Sequence, residues 1–284
     1  MSNMKKIILI IVAVLLVICV GVYKTTLFNP HNITIRTETL SSNKIDSSLN
    51  GTRIVYFTDL HFGEYTKEED VKECINLINK LDPDIVVFGG DLIDNYSQTK
   101  ITQDQRQFLI KNLKNIKASQ AKYYLLGNHD LENETSIEDI QTIFLASDFF
   151  PLSNANYKIH NKTNSYFNIV GIDSLIGGNP NISDAYSNVD SSKYTISFTH
   201  CPDLFDDLPL DKTDYVIAGH SHGGQIYIPI LNNLYRANGC NKYFHGKHNK
   251  NATTLDISNG VGLTSYSIRF QANAEIVFYK LMSK

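Results

Sequence analysis

Short, wholly apolar runs alternate along the chain with segments of helical period. "RIVYFT" (53–58), "DIVVFG" (84–89) and "AKYYLLG" (121–127) are nearly continuous apolar stretches. Between them lie Glu68 to Leu81, with Val71, Ile75 and Ile78 on one face, and Gln105 to Ala118, with Leu109, Leu113 and Ile116 on one face. Strand, helix, strand, helix, strand predicts parallel pairing with helical crossovers. Further strands are expected at Tyr166 to Ile172, Tyr194 to Thr199, Tyr215 to Ala218, Thr253 to Ile257, Ile268 to Gln271 and Glu275 to Leu281, so the second half is richer in strand. Before Arg53 the alternating piece "NITIRTETL" (32–40) predicts an edge strand. The rest of 25–51, rich in Ser, Thr and Asn, reads as a tether. One α/β domain over 52–284 is expected, with no internal repeat.

The first residues follow a different rule. Ile7 to Tyr23 is a run of 17 uncharged, almost wholly apolar residues between Lys5, Lys6 and Lys24. A spanning helix needs about 20 mainly apolar residues, with a lower limit of about 17. No small-x-small cleavage site follows, so residues 1–24 predict an uncleaved membrane anchor rather than a removed signal. Lys5 and Lys6 beside the short N-terminal tail favour a cytoplasmic N-terminus and an extracytoplasmic domain, a single-pass arrangement in the cell membrane.

Composition narrows the function. A chain of 284 residues, 42% hydrophobic, suffices for one well-filled domain, and a net charge of −3 gives no reason to expect nucleic acid as a partner. Cys19, Cys74, Cys201 and Cys240 form no CxxC pair, so neither a disulfide framework nor a thiolate metal site is indicated.

The chemistry sits at strand ends, where open α/β sheets gather their ligands. The relevant stretches are "FTDLH" (Asp59, His61), "GGDLID" (Asp91, Asp94), "LLGNHD" (Asn128, His129, Asp130), "SFTH" (His200) and "IAGHSHGG" (His220, His222). A single Asp or Asn after a strand is usually a turn or cap residue, and a single His is usually structural. Five such ends in succession, using five of the nine histidines, point instead to a metal site. The pairs Asp59/His61 and His220/His222 are spaced i, i+2, which in extended chain sends both side chains to one face. Nitrogen and oxygen donors suit Mn, Zn or Fe, and seven candidate ligands exceed what one tetrahedral ion can use. Two divalent ions sharing a bridging carboxylate fit that number, with Asp91, preceded by two glycines, as the natural bridge.

"TDLHFG", "GGDLID", "GNHD", "TH" and "GHSHGGQ", in this order, resemble the calcineurin-like metallophosphoesterases, in particular a bacterial branch with an N-terminal membrane anchor. The resemblance runs from about Asn32 to the C-terminus, and the late "SNGVG" and "IRF" also fit that branch. It implies two packed mixed β-sheets flanked by helices, the metallophosphoesterase sandwich. It also implies that Asp59, His61, Asp91 and His222 bind one ion, and Asp91, Asn128, His200 and His220 the other. His129 would be the general acid and Asp94 its orienting partner, with Asp130 structural.

Two divalent ions can hold a bridging hydroxide at neutral pH and stabilise attacking and leaving oxygens in displacement at phosphorus. The expected activity is therefore metal-dependent hydrolysis of phosphoesters, first of all of diesters. Serine/threonine phosphatases of the superfamily have an arginine after the second aspartate of "GGDLID", and here Asn95 stands there, which disfavours a protein phosphatase. A pyrophosphohydrolase of a nucleotide-linked lipid is the alternative within the class. A non-catalytic metal-binding module is the alternative outside it, although all seven ligands and His129 are present. Specificity is expected in 174–190 and 231–250, the latter mixing Arg236, Lys242 and Lys247 with Tyr235, Tyr243 and Phe244. His31, His160, His245 and His248 are read as non-ligands, and Asn133 and Asn181 lie in N-x-S/T tripeptides.

Overall fold

The apolar runs of the first half are strands buried on both faces, which is why they carry no polar alternation. In the computed structural model, Ile54 and Tyr56 face one way with Ile85 and Val87, while Val55 and Phe57 face the other with Val86 and Phe88. The structure describes residues 3–26, 31–97, 100–160, 163–228 and 236–284, with side chains of the first helix as far as Val20. Tyr235 lies outside the described residues.

In chain order the elements are α1 (Asn3–Thr26), β1 (Thr34–Ser42), β2 (Arg53–Phe57), α2 (Glu68–Lys80), β3 (Ile85–Phe88), α3 (Gln103–Lys114), β4 (Ala121–Tyr124), α4 (Glu134–Ala146), β5 (Phe150–Pro151), β6 (Ala155–His160), β7 (Tyr166–Ile172), α5 (Ile182–Ala185), β8 (Thr195–Thr199), β9 (Tyr215–Ala218), β10 (Gly246–Lys250), β11 (Thr253–Ile257) and β12 (Glu275–Ser283). They build two six-stranded mixed sheets, ordered β1-β12-β2-β3-β4-β5 and β10-β11-β9-β8-β7-β6. Within them β2, β3, β4 and β5 are parallel, as are β7, β8, β9 and β11.

Three apolar layers hold the sandwich. Tyr56, Phe198, Ile169, Ile217 and Tyr279 are among the side chains that pack the two sheets together. Val71, Leu109, Ile140 and Phe144 attach α2, α3 and α4 to the first sheet, and Ala185, Leu204 and Phe205 cover the outer face of the second. At about 25 cal/mol per Å² of apolar surface, each fully buried large side chain contributes roughly 1.5–3 kcal/mol.

β1 is the expected edge strand, parallel to β12. The segment after it is no free tether, because Ile45 and Leu49 are buried against the inter-sheet core. Ile268 to Gln271 is not a strand; among the described residues only an isolated bridge between Ile226 and Phe270 forms there. The reason is Arg269, whose buried guanidinium takes loop carbonyls as partners and leaves the backbone irregular. Over Asn3–Val20 the mean hydropathy is 2.5 and none of the window is buried, so α1 is long and apolar enough to cross a membrane.

Candidate metal centre

All five ligand-bearing segments follow the carboxyl ends of parallel strands, namely β2, β3, β4, β8 and β9. Beyond the strands the backbone stays tied: Asp59 N donates to Gly90 O (2.9 Å), His61 N to Asp91 O (3.1 Å) and Phe62 N to Leu92 O (2.9 Å). The i, i+2 pairs do converge, but not as extended chain. Asp59 (φ 54°), His61 (45°), Asp91 (59°), His220 (67°) and His222 (50°) are all left-handed, a conformation most side chains avoid and Asp and His tolerate better than most. Close approach needs glycine at two points. Gly90 has φ +107°, and a Cβ on Gly127 would lie 2.1 Å from Asp91 Oδ1.

Two groups of side chains bring ligand atoms within 4.8 Å of one another: Asp59, His61 and His222, and Asp91, His200 and His220. A third, His61, Asp91 and His129, overlaps both. Asp91 is the joint. Its Oδ2 lies 3.2 Å from His200 Nε2 and 3.5 Å from His61 Nε2, while Oδ1 accepts from His129 N at 2.9 Å. Asn128 Oδ1 is 3.2 Å from His200 Nε2, and His222 Nε2 is 3.0 Å from His61 Nε2. His200 Nδ1 is 2.9 Å from Gly89 O, which leaves Nε2 for the cluster. For His220 the roles are reversed, with Nε2 2.6 Å from Asn238 O and Nδ1 left over. His220 N also donates to both oxygens of Asp59.

Charge perturbations follow from this crowding. Burial alone would push the Asp91 carboxyl up, but the rings of His200 and His61 outweigh it and hold it low. Burial opposes protonation of His200, yet Asp91 raises it; burial with His61 and Arg269 lowers His222, and burial with His200 lowers His220. Buried imidazole nitrogens aimed at one another and at carboxylate oxygens form a donor set that suits divalent cations.

Asp94 is not where the resemblance implies. Its Oδ1 lies 3.4 Å from Nδ1 of His61, and Asp94 N donates to Phe62 O. The carboxylate beside His129 Nδ1 is that of Glu132, 3.7 Å away and three residues along the chain. Asp130 is buried and accepts from Asp91 N (2.8 Å), Leu92 N (2.9 Å) and Gly127 N (2.9 Å), so it clamps the loop after β3 to the loop after β4. Burial and the charge of Asp91 raise its carboxyl to about 7 against those donors.

Two contributors escaped the sequence reading. Arg269, 2% exposed, donates to the carbonyls of Asn259, Gly260, Gly262 and Ala272 and approaches His222 Nδ1 at 3.5 Å. Its only signal is an arginine inside the apolar "SIRF". His245, read as a non-ligand, stacks on Tyr227 at 3.9 Å and reaches Gly223 O at 3.1 Å, supporting the turn that carries His222.

Residues 52–224 match a family model described as calcineurin-like phosphoesterase. The metallophosphoesterase YkuE of Bacillus subtilis is 30% identical over 89% of this chain and 87% of its own. A metallophosphoesterase of Helicobacter pylori strain J99 is 29% identical over 85% of this chain, and a Danio rerio protein named transmembrane protein with metallophosphoesterase domain is 25% identical over 82%. The chain spans only 62% and 54% of the lengths of those two.

Proposed function

The chain belongs to the calcineurin-like phosphoesterases, and from that premise we propose that it is a membrane-anchored phosphodiesterase of two divalent ions. The family makes it a metal-dependent phosphoester hydrolase; the diester preference, the two ions and the anchor are our reading. The observation that carries the reading is Asp91, whose Oδ2 stands between His200 and His61 and so between the two ligand groups. In this reading Asp59, His61, Asp91 and His222 hold one ion and Asp91, Asn128, His200 and His220 the other. Divalent cations bound there would supply charge to draw phosphate oxygens and lower the pKa of a bound water toward neutral pH.

The chain's own residues do the rest. His129 is the general acid: its side chain is 28% exposed, whereas those of His61 and His200 are 1% and 0%, so it faces the mouth where a leaving group departs. Glu132 orients its ring from the Nδ1 side, and Asp94 orients His61. Asn95, in place of an arginine clamp, leaves room for a second substituent on phosphorus. The domain lies on the extracytoplasmic side.

The test is a substrate screen of full-length protein with Mn²⁺ restored, against alkyl and nitrophenyl diesters, monoesters and nucleotide pyrophosphates. Diesters are expected to turn over fastest, and Asp91→Ala is expected to abolish turnover. Faster cleavage of nucleotide pyrophosphates would replace the diesterase reading with a pyrophosphohydrolase.

A further inference from the structure

We propose that the mouth of the metal centre faces the bilayer that holds α1, so that the substrate is a membrane-embedded lipid presenting its phosphoester at headgroup level. The inference rests on the anchored-phosphodiesterase reading and names its substrate class.

Sheet register carries the first step. β12 runs antiparallel to β2 with Val277 opposite Tyr56, which brings Glu275 level with Thr58, and β1 runs parallel to β12 with Thr34 opposite Glu275. The first residue of β1 is thus two strand spacings, about 10 Å, from the end of β2 where the ligands begin. A run of backbone bonds spans that gap: Thr34 N to Ala274 O (2.8 Å), Glu275 N to Gly260 O (3.0 Å) and Gly262 N to Asp59 O (2.7 Å). The anchor therefore joins the domain at its catalytic edge.

Chain length carries the second. His31 already sits on the domain, its Nδ1 3.1 Å from Asp70 Oδ1, and Ile33 is buried, so only residues 27–30 separate the end of α1 at Thr26 from the domain. Fully extended, the five steps from Thr26 to His31 reach about 18 Å. The opposite edge, where β1 ends at Ser42, lies a further eight strand steps, about 26 Å, beyond Thr34. The tether holds the metal centre, and not that far edge, against the bilayer.

The third step is the surface at this edge. Tyr266 is 67% exposed, Ile226 39% and Ile228 36%, on two loops bound together by Phe270 N to Gln225 O (2.9 Å), Tyr227 N to Phe270 O (2.8 Å) and Gln225 Nε2 to the carbonyls of Thr264 and Tyr266. Gln225 follows the ligand His222 by three residues. Leu175, 42% exposed, flanks the other side, where Ser174 meets Cys201 beside His200. Ile35 stands at the start of β1. Of the eight exposed large apolar side chains among the described domain residues, these five sit at the catalytic edge, where an apolar rim has a lipid surface to enter.

The experiment uses full-length protein carrying Cys19→Ser, reconstituted in vesicles of phosphatidylcholine and phosphatidylglycerol. A fluorophore is placed at Tyr266→Cys or, at the far edge between α3 and β4, at Lys117→Cys. A nitroxide lipid is expected to quench the first several-fold more than the second. The double variant Ile226→Asp, Tyr266→Asp is expected to lose about tenfold on a bilayer-borne phosphodiester, the weight of roughly one buried apolar side chain, and nothing on a soluble nitrophenyl diester. Equal or reversed quenching with the soluble diester still cleaved overturns the inference and leaves the phosphodiesterase reading. Equal losses of the double variant on both substrates also overturn it. Strong quenching at 266 with neither diester cleaved overturns the phosphodiesterase reading and the lipid substrate with it, while the docking geometry stands.

Discussion

Asp130→Ala isolates the scaffold of the centre from its chemistry. The carboxylate is fully buried, is not placed among the metal ligands, and accepts from three backbone N–H groups at 2.8–2.9 Å. Each buried donor left without an acceptor costs about 1–3 kcal/mol. The sum is an upper limit, because water can enter the space vacated by the carboxylate and recover part of it. Against this stands the raised carboxyl of Asp130, which reflects the cost of keeping its charge beside Asp91 and makes its removal cheaper. The expected net loss is about 3–5 kcal/mol, a large fraction of the 5–15 kcal/mol typical of a domain. Asp130→Asn, which keeps one acceptor oxygen, should cost about half as much. The assay is urea unfolding of the domain in full-length, detergent-held protein, followed by far-UV circular dichroism, with differences taken from the midpoint at a shared slope. Because one of the three donors is the N–H of Asp91 itself, metal affinity should fall in parallel with stability. An Asp130→Ala midpoint within about 0.5 kcal/mol of wild type would show that the clamp is not holding the two loops.

The proposed bridging role of Asp91 predicts that Asp91→Ala loses both ions, and metal analysis showing two ions per chain at wild-type affinity would disprove it. His129→Ala should keep its metal, lose about 10²- to 10⁴-fold on alkyl diesters and distinctly less on nitrophenyl diesters, whose leaving groups need no proton; equal losses would mean that the ring binds phosphate. Glu132→Gln should repeat that ordering in milder form, while Asp94→Asn, beside His61, should chiefly weaken metal binding; identical behaviour of the two would undo the assignment. Full-length protein should sediment with membranes through a salt wash, and recovery at unshortened mass in the soluble fraction would rule out the anchor.

The candidate site was legible because the chemistry recurs at the ends of strands that periodicity already locates. Its failures have physical causes. α4 went unread although Ile137, Ile140, Ile143 and Phe144 recur at helical spacing; its start is Asn133, whose side chain accepts from Ser136 N as an N-cap, and in the sequence that asparagine is indistinguishable from a sequon residue. The strand expected at Ile268 to Gln271 failed because Arg269 is buried there by four carbonyls brought from elsewhere in the loop, which local pattern cannot register. Asp94 was assigned to His129 by motif, whereas its carboxylate lies 3.4 Å from His61 Nδ1. That choice is tertiary.

Five candidate ligands in left-handed backbone are the unusual feature of the molecule, and their cost explains the construction around them. For ordinary residues that conformation costs about 1–2 kcal/mol; Asp and His tolerate it better, but five together still weigh on a domain whose stability is typically about 5–15 kcal/mol unless the surroundings fix them. The fixing is done by main chain. The pairing of β2 with β3 continues past both strand ends through Asp59, His61 and Phe62 to Gly90, Asp91 and Leu92, and His220 N is held by both oxygens of Asp59. A ligand carried on such a ladder cannot swing away without breaking backbone bonds shared with a ligand of another strand. The carboxylates and imidazoles are therefore brought to a common point by the termini of two sheets rather than by their own rotamers. The same ladder leads through Gly262, Gly260 and Glu275 to the first residue of β1, so the hydrogen-bonded part of the fold extends unbroken from the candidate ligands to the start of β1.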